Sequence, residues 1–231
     1  MTEVVIWVSW VAVAYLTGAV PFGLMIGRCH GVDLRACGSG NLGATNAGRV
    51  LGKKWGLICF ALDAAKGLLP VLGYGLVSGL VSGQVSGQVA GEAAGGALAA
   101  LAWLGVATAA IMGHVFPVWL RFKGGKGVAT GLGALLGVWP MLTVPATIAL
   151  GLWIAVVGRT GYVSLASMVA ACSLPAMAAL SGWLLNRSAA EVAVYVVVTA
   201  ALAGLVVWRH RSNITRLREG TEVKVGWAKR G

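Results

Sequence analysis

The sequence predicts an all-α integral membrane protein of seven transmembrane helices, some of them short, with the N-terminus outside and the C-terminus in the cytoplasm. Three observations carry that prediction. Of 231 residues, 58% are hydrophobic and 11% charged, with a mean hydropathy of +0.84, whereas a soluble domain carries about 25% charged residues. The apolar residues gather in runs close to the roughly 20 residues that cross a bilayer. The basic residues, which give a net charge of +11, lie in short segments between those runs. They therefore read as positive-inside topology signals and not as a nucleic-acid surface. Residues 1–231 are expected to form a single polytopic domain.

The first span is expected at 4–27. The start Met1-Thr2-Glu3 has no basic region ahead of the apolar run, so the segment reads as a retained span and not a cleaved signal. Further spans are expected at 56–77, 97–118, 162–183 and 190–208. The run 128–157 is long for one helix and short for two, and Trp139-Pro140 and Pro145 interrupt it, since proline disfavours helix in the residue before it. Charge bias decides between the two. With two short helices, the inside collects five basic residues in 28–55, three in 119–127, Arg159, and seven in 209–231, sixteen of the eighteen in the chain. Only Arg187 falls outside, and Lys66 lies within a span. One helix there would put the basic tail 209–231 outside, against the rule.

Between the second and third spans, residues 77–92 repeat V-S-G-L, V-S-G-Q, V-S-G-Q and V-A-G-E. An extracytoplasmic loop of about 78–96 is expected there, a low-complexity spacer without a charged ligand set. Cys29 and Cys37 lie in a basic loop and Cys59 and Cys172 in apolar segments, a pattern of reduced thiols and not of a disulfide frame.

Three polar motifs fall on the inner face in this topology. The first, Gly38 to Arg49, reads G-S-G-N-L-G-A-T-N-A-G-R. Its glycines let the backbone approach a ligand, and its short polar side chains offer hydrogen bonds. The second, Arg121 to Thr130, reads R-F-K-G-G-K-G-V-A-T. Cations alternate with glycines there just before a helix, where free N–H groups suit a phosphate. It is not a Walker A motif, because Gly127 follows Lys126 where Ser or Thr is required. The third, His210 to Glu222, reads H-R-S-N-I-T-R-L-R-E-G-T-E, and its His210, Asn213 and Arg216 share one face if helical. Each has a structural alternative: glycine loops also make turns, and basic juxtamembrane loops also touch headgroups. Two glycine–cation loops on one face point to two phosphate-bearing groups.

Within the spans, Asp63 and Lys66 are spaced i,i+3 and are expected to pair inside the bundle. Lys66 is the better functional candidate of the two. His114, in G-H-V-F-P, is a candidate to line the site, with a hydrogen-bonded packing role as its alternative. Absences narrow the chemistry further. Asp33, Glu219 and Glu222 are the only carboxylates in the inside segments, which argues against a metal site. No G-x-S-x-G nucleophile elbow is present, and no histidine has an aspartate five positions on. No cofactor is expected.

Taken together and in order, the three motifs resemble those of the bacterial acyl-phosphate:glycerol-3-phosphate acyltransferases, the PlsY family, from the first span to the tail. The resemblance implies an enzyme that moves an acyl group from acyl phosphate to the sn-1 hydroxyl of glycerol 3-phosphate, giving lysophosphatidic acid and phosphate, at the cytoplasmic side of the inner membrane. It implies a catalytic set of Ser39, Asn41, Arg49, His210 and Asn213. It further implies substrate-binding roles for Gly40, Thr45, Asn46, Lys66, His114, Lys123, Gly124, Gly125, Lys126, Gly127, Arg216 and Glu222, with the second motif serving glycerol 3-phosphate and Glu222 holding its loop together. The alternative class is a transporter of an anionic metabolite, which would show repeats and broken helices near the midplane.

Overall fold

The computed structural model describes residues 2–81 and 93–225. Most of the Val-Ser-Gly repeat, together with Lys229 and Arg230 of the tail, lies outside the described residues. Those described are helical, with no strand among them. In chain order the helices are α1 (Thr2–Gly18), α2 (Phe22–Cys29), α3 (Ala44–Leu51), α4 (Lys53–Val81), α5 (Ala93–Val115), a 3₁₀ turn (Val118–Leu120), α6 (Val128–Leu136), α7 (Thr143–Thr160), α8 (Val163–Leu184), α9 (Ala189–Arg209) and α10 (Arg211–Arg218).

Six stretches among the described residues are long and apolar enough to cross a membrane: Glu3–Cys29, Lys53–Gly79, Gly96–Leu120, Thr143–Thr160, Val163–Leu184 and Ala189–Arg209. The run 128–157 is two helices, α6 and α7, as expected. The break lies at 137–142, while Pro145 falls in the first turn of α7, where its missing N–H costs nothing. With nine residues, α6 rises only about 14 Å, well short of the ~30 Å of a hydrocarbon core. The first span, expected at 4–27, lies within Glu3–Cys29 and is built of two helices. It breaks between Gly18 and Phe22, because Pro21 has no N–H to give and biases Val20 away from helix.

The chain divides by its contacts into two compact units, 1–89 with 102–138, and 90–101 with 139–231. In the first, α4 packs against α1, α2, α3 and α6. The α4–α6 contact is backbone-close: a Cβ on Gly67 would stand 2.2 Å from the Thr130 carbonyl oxygen, and one on Gly133 1.9 Å from that of Ala64. Small residues at such crossings are how helices associate where lipid removes the hydrophobic drive between them. Side-chain bonds tie α1 to the α5 segment. Trp7 Nε1 donates to the Ala102 carbonyl at 2.9 Å, and Tyr15 Oη to that of Phe116 at 2.8 Å. A buried apolar cluster of Leu24, Leu34, Leu42, Ala47 and Cys59 lies among α2, α3, α4 and the loop joining α2 to α3.

In the second unit α7 packs on α8, α8 on α9, and α10 on the end of α9. Ser188 caps α9 by accepting the Glu191 N–H at its Oγ, which satisfies one of the helix's orphan donors.

Candidate active site

The first motif folds around one side chain. Asn46, in the first turn of α3, is 1% exposed. Its Nδ2 donates to the carbonyls of Leu34 and Cys37, both at 3.0 Å, and its Oδ1 accepts the Ser39 N–H at 2.8 Å. Gly38 takes φ +60° and lies so close that a Cβ would meet Asn46 Oδ1 at 2.3 Å. Asn41 closes the turn into α3 by accepting the Gly43 N–H at 2.9 Å. Asn46 and Asn41 thus shape the loop from within, while Ser39, Gly40 and Arg49 are exposed and Thr45 is half-buried. Asp33 braces the approach to the loop, with Arg35 Nη2 donating to its Oδ2 at 2.6 Å. That side-chain bond, seconded by the Arg35 backbone N–H, lowers the Asp33 pKa to about 2.

The second motif rests on a buried polar cluster of the same unit. The expected Asp63–Lys66 pair forms, with Lys66 Nζ 2.8 Å from Asp63 Oδ1. Lys66 Nζ also donates to the Val20 carbonyl at 2.7 Å, an acceptor that the break at Pro21 has left without a helical partner. His114 Nδ1 lies 3.1 Å from Thr130 Oγ1 and 3.8 Å from Asp63 Oδ1. Above this cluster runs the glycine loop. Gly124 donates its N–H to the Val115 carbonyl at 3.2 Å and Gly125 to the His114 carbonyl at 3.1 Å. A Cβ on Gly125 would stand 2.1 Å from His114 Nε2. Gly127 is the N-cap of α6. Lys123 is exposed and Lys126 half-buried.

A narrow cleft opens in this unit. The break at Val20 to Phe22, Leu42 of the first motif, Gly124 and Gly125 of the second, and Asp63, Lys66 and His114 all line it. Its enclosed space is about 10 Å³, room for about one water.

The third motif belongs to the second unit. His210 ends α9 and precedes α10, and is 2% exposed. Its Nδ1 lies 2.8 Å from the Val206 carbonyl. A carbonyl can only accept, so Nδ1 carries a proton, and whenever the ring is neutral the lone pair lies on Nε2. Helix α10 closes with Gly220 at φ +71°, Gly220 N–H on the Leu217 carbonyl and Thr221 N–H on that of Arg216, a Schellman close. The turn brings the tail back along the helix and buries Glu222. Its Oε1 accepts from Asn213 Nδ2 at 2.6 Å and from Ser164 Oγ at 2.7 Å, and its Oε2 from Arg216 Nε at 2.7 Å. Burial pushes the Glu222 pKa up, but the bonds from Ser164, Asn213 and Arg216 outweigh it and hold the carboxyl below its ordinary range. Val225 N–H on the Gly161 carbonyl pins the segment.

The family model described as glycerol-3-phosphate acyltransferase matches residues 8–220. The chain belongs to the glycerol-3-phosphate acyltransferase family. It is 42% identical over 217 residues to the glycerol-3-phosphate acyltransferase of Desulforamulus reducens, covering 94% of each chain. It is 41% identical to that of Geobacter sulfurreducens, covering 91% of this chain and 93% of the other. Its fold is similar to that of PlsY (YgiH), an integral membrane glycerol 3-phosphate acyltransferase, in two crystal structures. The glycerol 3-phosphate form superposes with a TM-score of 0.74 at 34% identity, covering 95% of this chain and 96% of that one. The lysophosphatidic acid form gives a TM-score of 0.71 at the same identity.

As a glycerol-3-phosphate acyltransferase the chain is a membrane enzyme of phospholipid synthesis. Its acyltransferase motifs fall into two groups here. Lys66, His114, Gly124 and Gly125 gather at the cleft of the first unit, together with Leu42 of the first motif. His210, Asn213, Arg216 and Glu222 belong to the second unit. Two polar partners carried no role in the sequence reading. Thr130 ends the second motif with no distinguishing neighbour in sequence, and Ser164 is a lone serine at the start of a span. Only folding shows that one meets His114 and the other Glu222.

Proposed function

We propose that this acyltransferase uses acyl phosphate as donor and acylates the sn-1 hydroxyl of glycerol 3-phosphate, releasing inorganic phosphate and leaving lysophosphatidic acid. In this reading it lies in the bacterial inner membrane with seven spans, α6 being the short one, and works at the cytoplasmic side. The observation that carries the reading is the glycine loop Gly124–Gly127, seated on the Asp63–Lys66–His114 cluster with Lys126 in its midst. The N–H groups of Gly124 and Gly125 are spent on Val115 and His114, so what the loop offers an anion is the N-terminus of α6 and the cation Lys126. The likeness to a PlsY structure in a glycerol 3-phosphate form supports assigning that substrate to it.

The chemistry asks little covalent help from the protein. Acyl phosphate is a mixed anhydride whose phosphate leaves readily. The substrate hydroxyl oxygen bonds to the acyl carbon, the bond from that carbon to the bridging phosphate oxygen breaks, and the hydroxyl proton passes to a base. The enzyme's work is to align two anions and to stabilise the oxyanion. Arg49 suits a phosphate as a bidentate fork and Lys126 as a point cation. The Ser39 and Gly40 N–H groups are taken by Asn46 and the Cys37 carbonyl, so the Asn41 N–H and the Asn213 amide are the donors for the leaving phosphate or the oxyanion. Two bases fit the proton: His210 Nε2, whose tautomer is set by Val206, and the phosphate itself. In either case His210 orients the substrate, and Thr45, Asn46 and Arg216 support the motifs around it.

Kinetics on purified protein with glycerol 3-phosphate and either acyl phosphate or acyl-CoA test this reading. Turnover with acyl phosphate alone is expected. Arg49→Ala and Lys126→Ala are expected to raise KM for glycerol 3-phosphate by about 10- to 100-fold, the worth of a charge-assisted bond. Unchanged KM in both variants, or turnover with acyl-CoA, would contradict it. If His210→Gln keeps normal turnover and pH profile, the base is the phosphate.

A further inference from the structure

Thr130 has no exposed surface, so it cannot touch a substrate. It lies in the first turn of α6, held there by the close crossing of α4 and α6 at Gly67. Its Oγ1 shares a hydrogen bond of 3.1 Å with His114 Nδ1. Asp63 Oδ1 faces the same nitrogen at 3.8 Å, too long for a hydrogen bond, and is paired instead with Lys66. Thr130 therefore fixes the plane of the ring, and Asp63 adds a charge beside it.

The ring in turn carries the glycine loop. The His114 carbonyl accepts the Gly125 N–H. The contact between Nε2 and Gly125 leaves no space for even one methyl group. The imidazole edge therefore packs directly against Gly125, the residue before Lys126. The chain of contact runs Thr130 to His114 to Gly125, entirely within one compact unit.

We infer that Thr130 is a positioning residue for the glycerol-3-phosphate loop, acting through His114 on Gly124–Gly127. The assignment of that substrate rests on the reading under Proposed function, whereas the anchoring does not. The isosteric change Thr130→Val removes the hydroxyl and keeps the volume, and Thr130→Ser restores the hydroxyl.

Two readouts test it. Hydrogen exchange at the Gly124 and Gly125 amides reports anchoring without turnover. It is expected to speed about tenfold in Thr130→Val, the size of one lost buried hydrogen bond, with α8 unchanged and Thr130→Ser like wild type. In steady-state kinetics, KM for glycerol 3-phosphate is expected to rise by a similar factor, with kcat and the donor KM changing less than about twofold. Wild-type exchange in Thr130→Val, or equal damage from Val and Ser, would overturn the inference. If Val costs the fold, Thr130→Cys reads the same bond at smaller amplitude, and wild-type exchange there overturns it equally. Faster loop exchange in a protein that never turns over glycerol 3-phosphate would instead overturn the substrate assignment and leave the anchoring standing.

Discussion

The Asn213 amide donates to Glu222 Oε1 at 2.6 Å, and that bond joins a residue of the third motif to the carboxylate that shapes it. Ser164 and Arg216 donate to the same carboxylate. One buried acid thus ties together the start of α8, the helix α10 and the tail. Removing it strands three donors at once. Glu222→Ala is expected to destabilise the protein by about 3 kcal/mol, seen as a lower unfolding temperature in detergent, with activity falling in parallel. An unfolding temperature equal to that of wild type would show that the three bonds carry no net stability.

The same carboxylate predicts an acid limb. Its pKa in the folded protein is below the ordinary value, so its stabilising contribution is complete above the ordinary range near 4.3 and is lost as pH falls through the lowered value. Unfolding temperature of the wild type should therefore drop below about pH 4.3, more steeply than in Glu222→Gln, which has nothing to titrate. Asp33, held to about 2 by Arg35, adds to the acid limb of both proteins alike, so the difference between them reports Glu222. Parallel acid limbs in the two proteins would contradict the assignment.

Asn46 separates a shaping role from a binding role. Its amide gives two bonds to loop carbonyls and takes one from Ser39. Asn46→Asp keeps the shape and the acceptor but turns a negative oxygen toward the Leu34 and Cys37 carbonyls. It is expected to cost at least about tenfold in kcat/KM and more than Asn46→Ala, because a charge facing two acceptors is worse than a gap. Equal, mild losses in both would mean that the loop holds its shape without this amide.

Gly125 predicts a steric effect. Any Cβ there collides with the His114 ring, and the loop must move to admit it. Gly125→Ala is expected to lower kcat/KM for glycerol 3-phosphate by about 10- to 100-fold through overpacking, measured at saturating donor. Wild-type kinetics would mean that the loop adapts freely.

The helical membrane architecture was legible in the sequence because lipid imposes long apolar runs, and the break in 128–157 because proline marks it. The break after Gly18 was missed, although Pro21 stood inside the run. A lone proline near the end of a span reads equally as a tolerated kink, and only the fold shows Lys66 of another helix taking the Val20 carbonyl at the break. The motifs announced their glycines and cations. They could not announce Asn46 as the centre of its own loop, since an asparagine that binds a ligand and one that binds backbone look alike in sequence. Thr130 and Ser164 were invisible for a further reason: their partners are 16 and 58 residues away, and only packing brings them together.

The most direct test of the central claim is to supply purified protein in detergent with acyl phosphate and glycerol 3-phosphate, and to measure phosphate released against lysophosphatidic acid formed, with the acylated position assigned by NMR. One phosphate per product molecule, acylated at sn-1, is expected, with no release in the absence of glycerol 3-phosphate. A folded protein that releases no phosphate, or forms product acylated at sn-2, would contradict it.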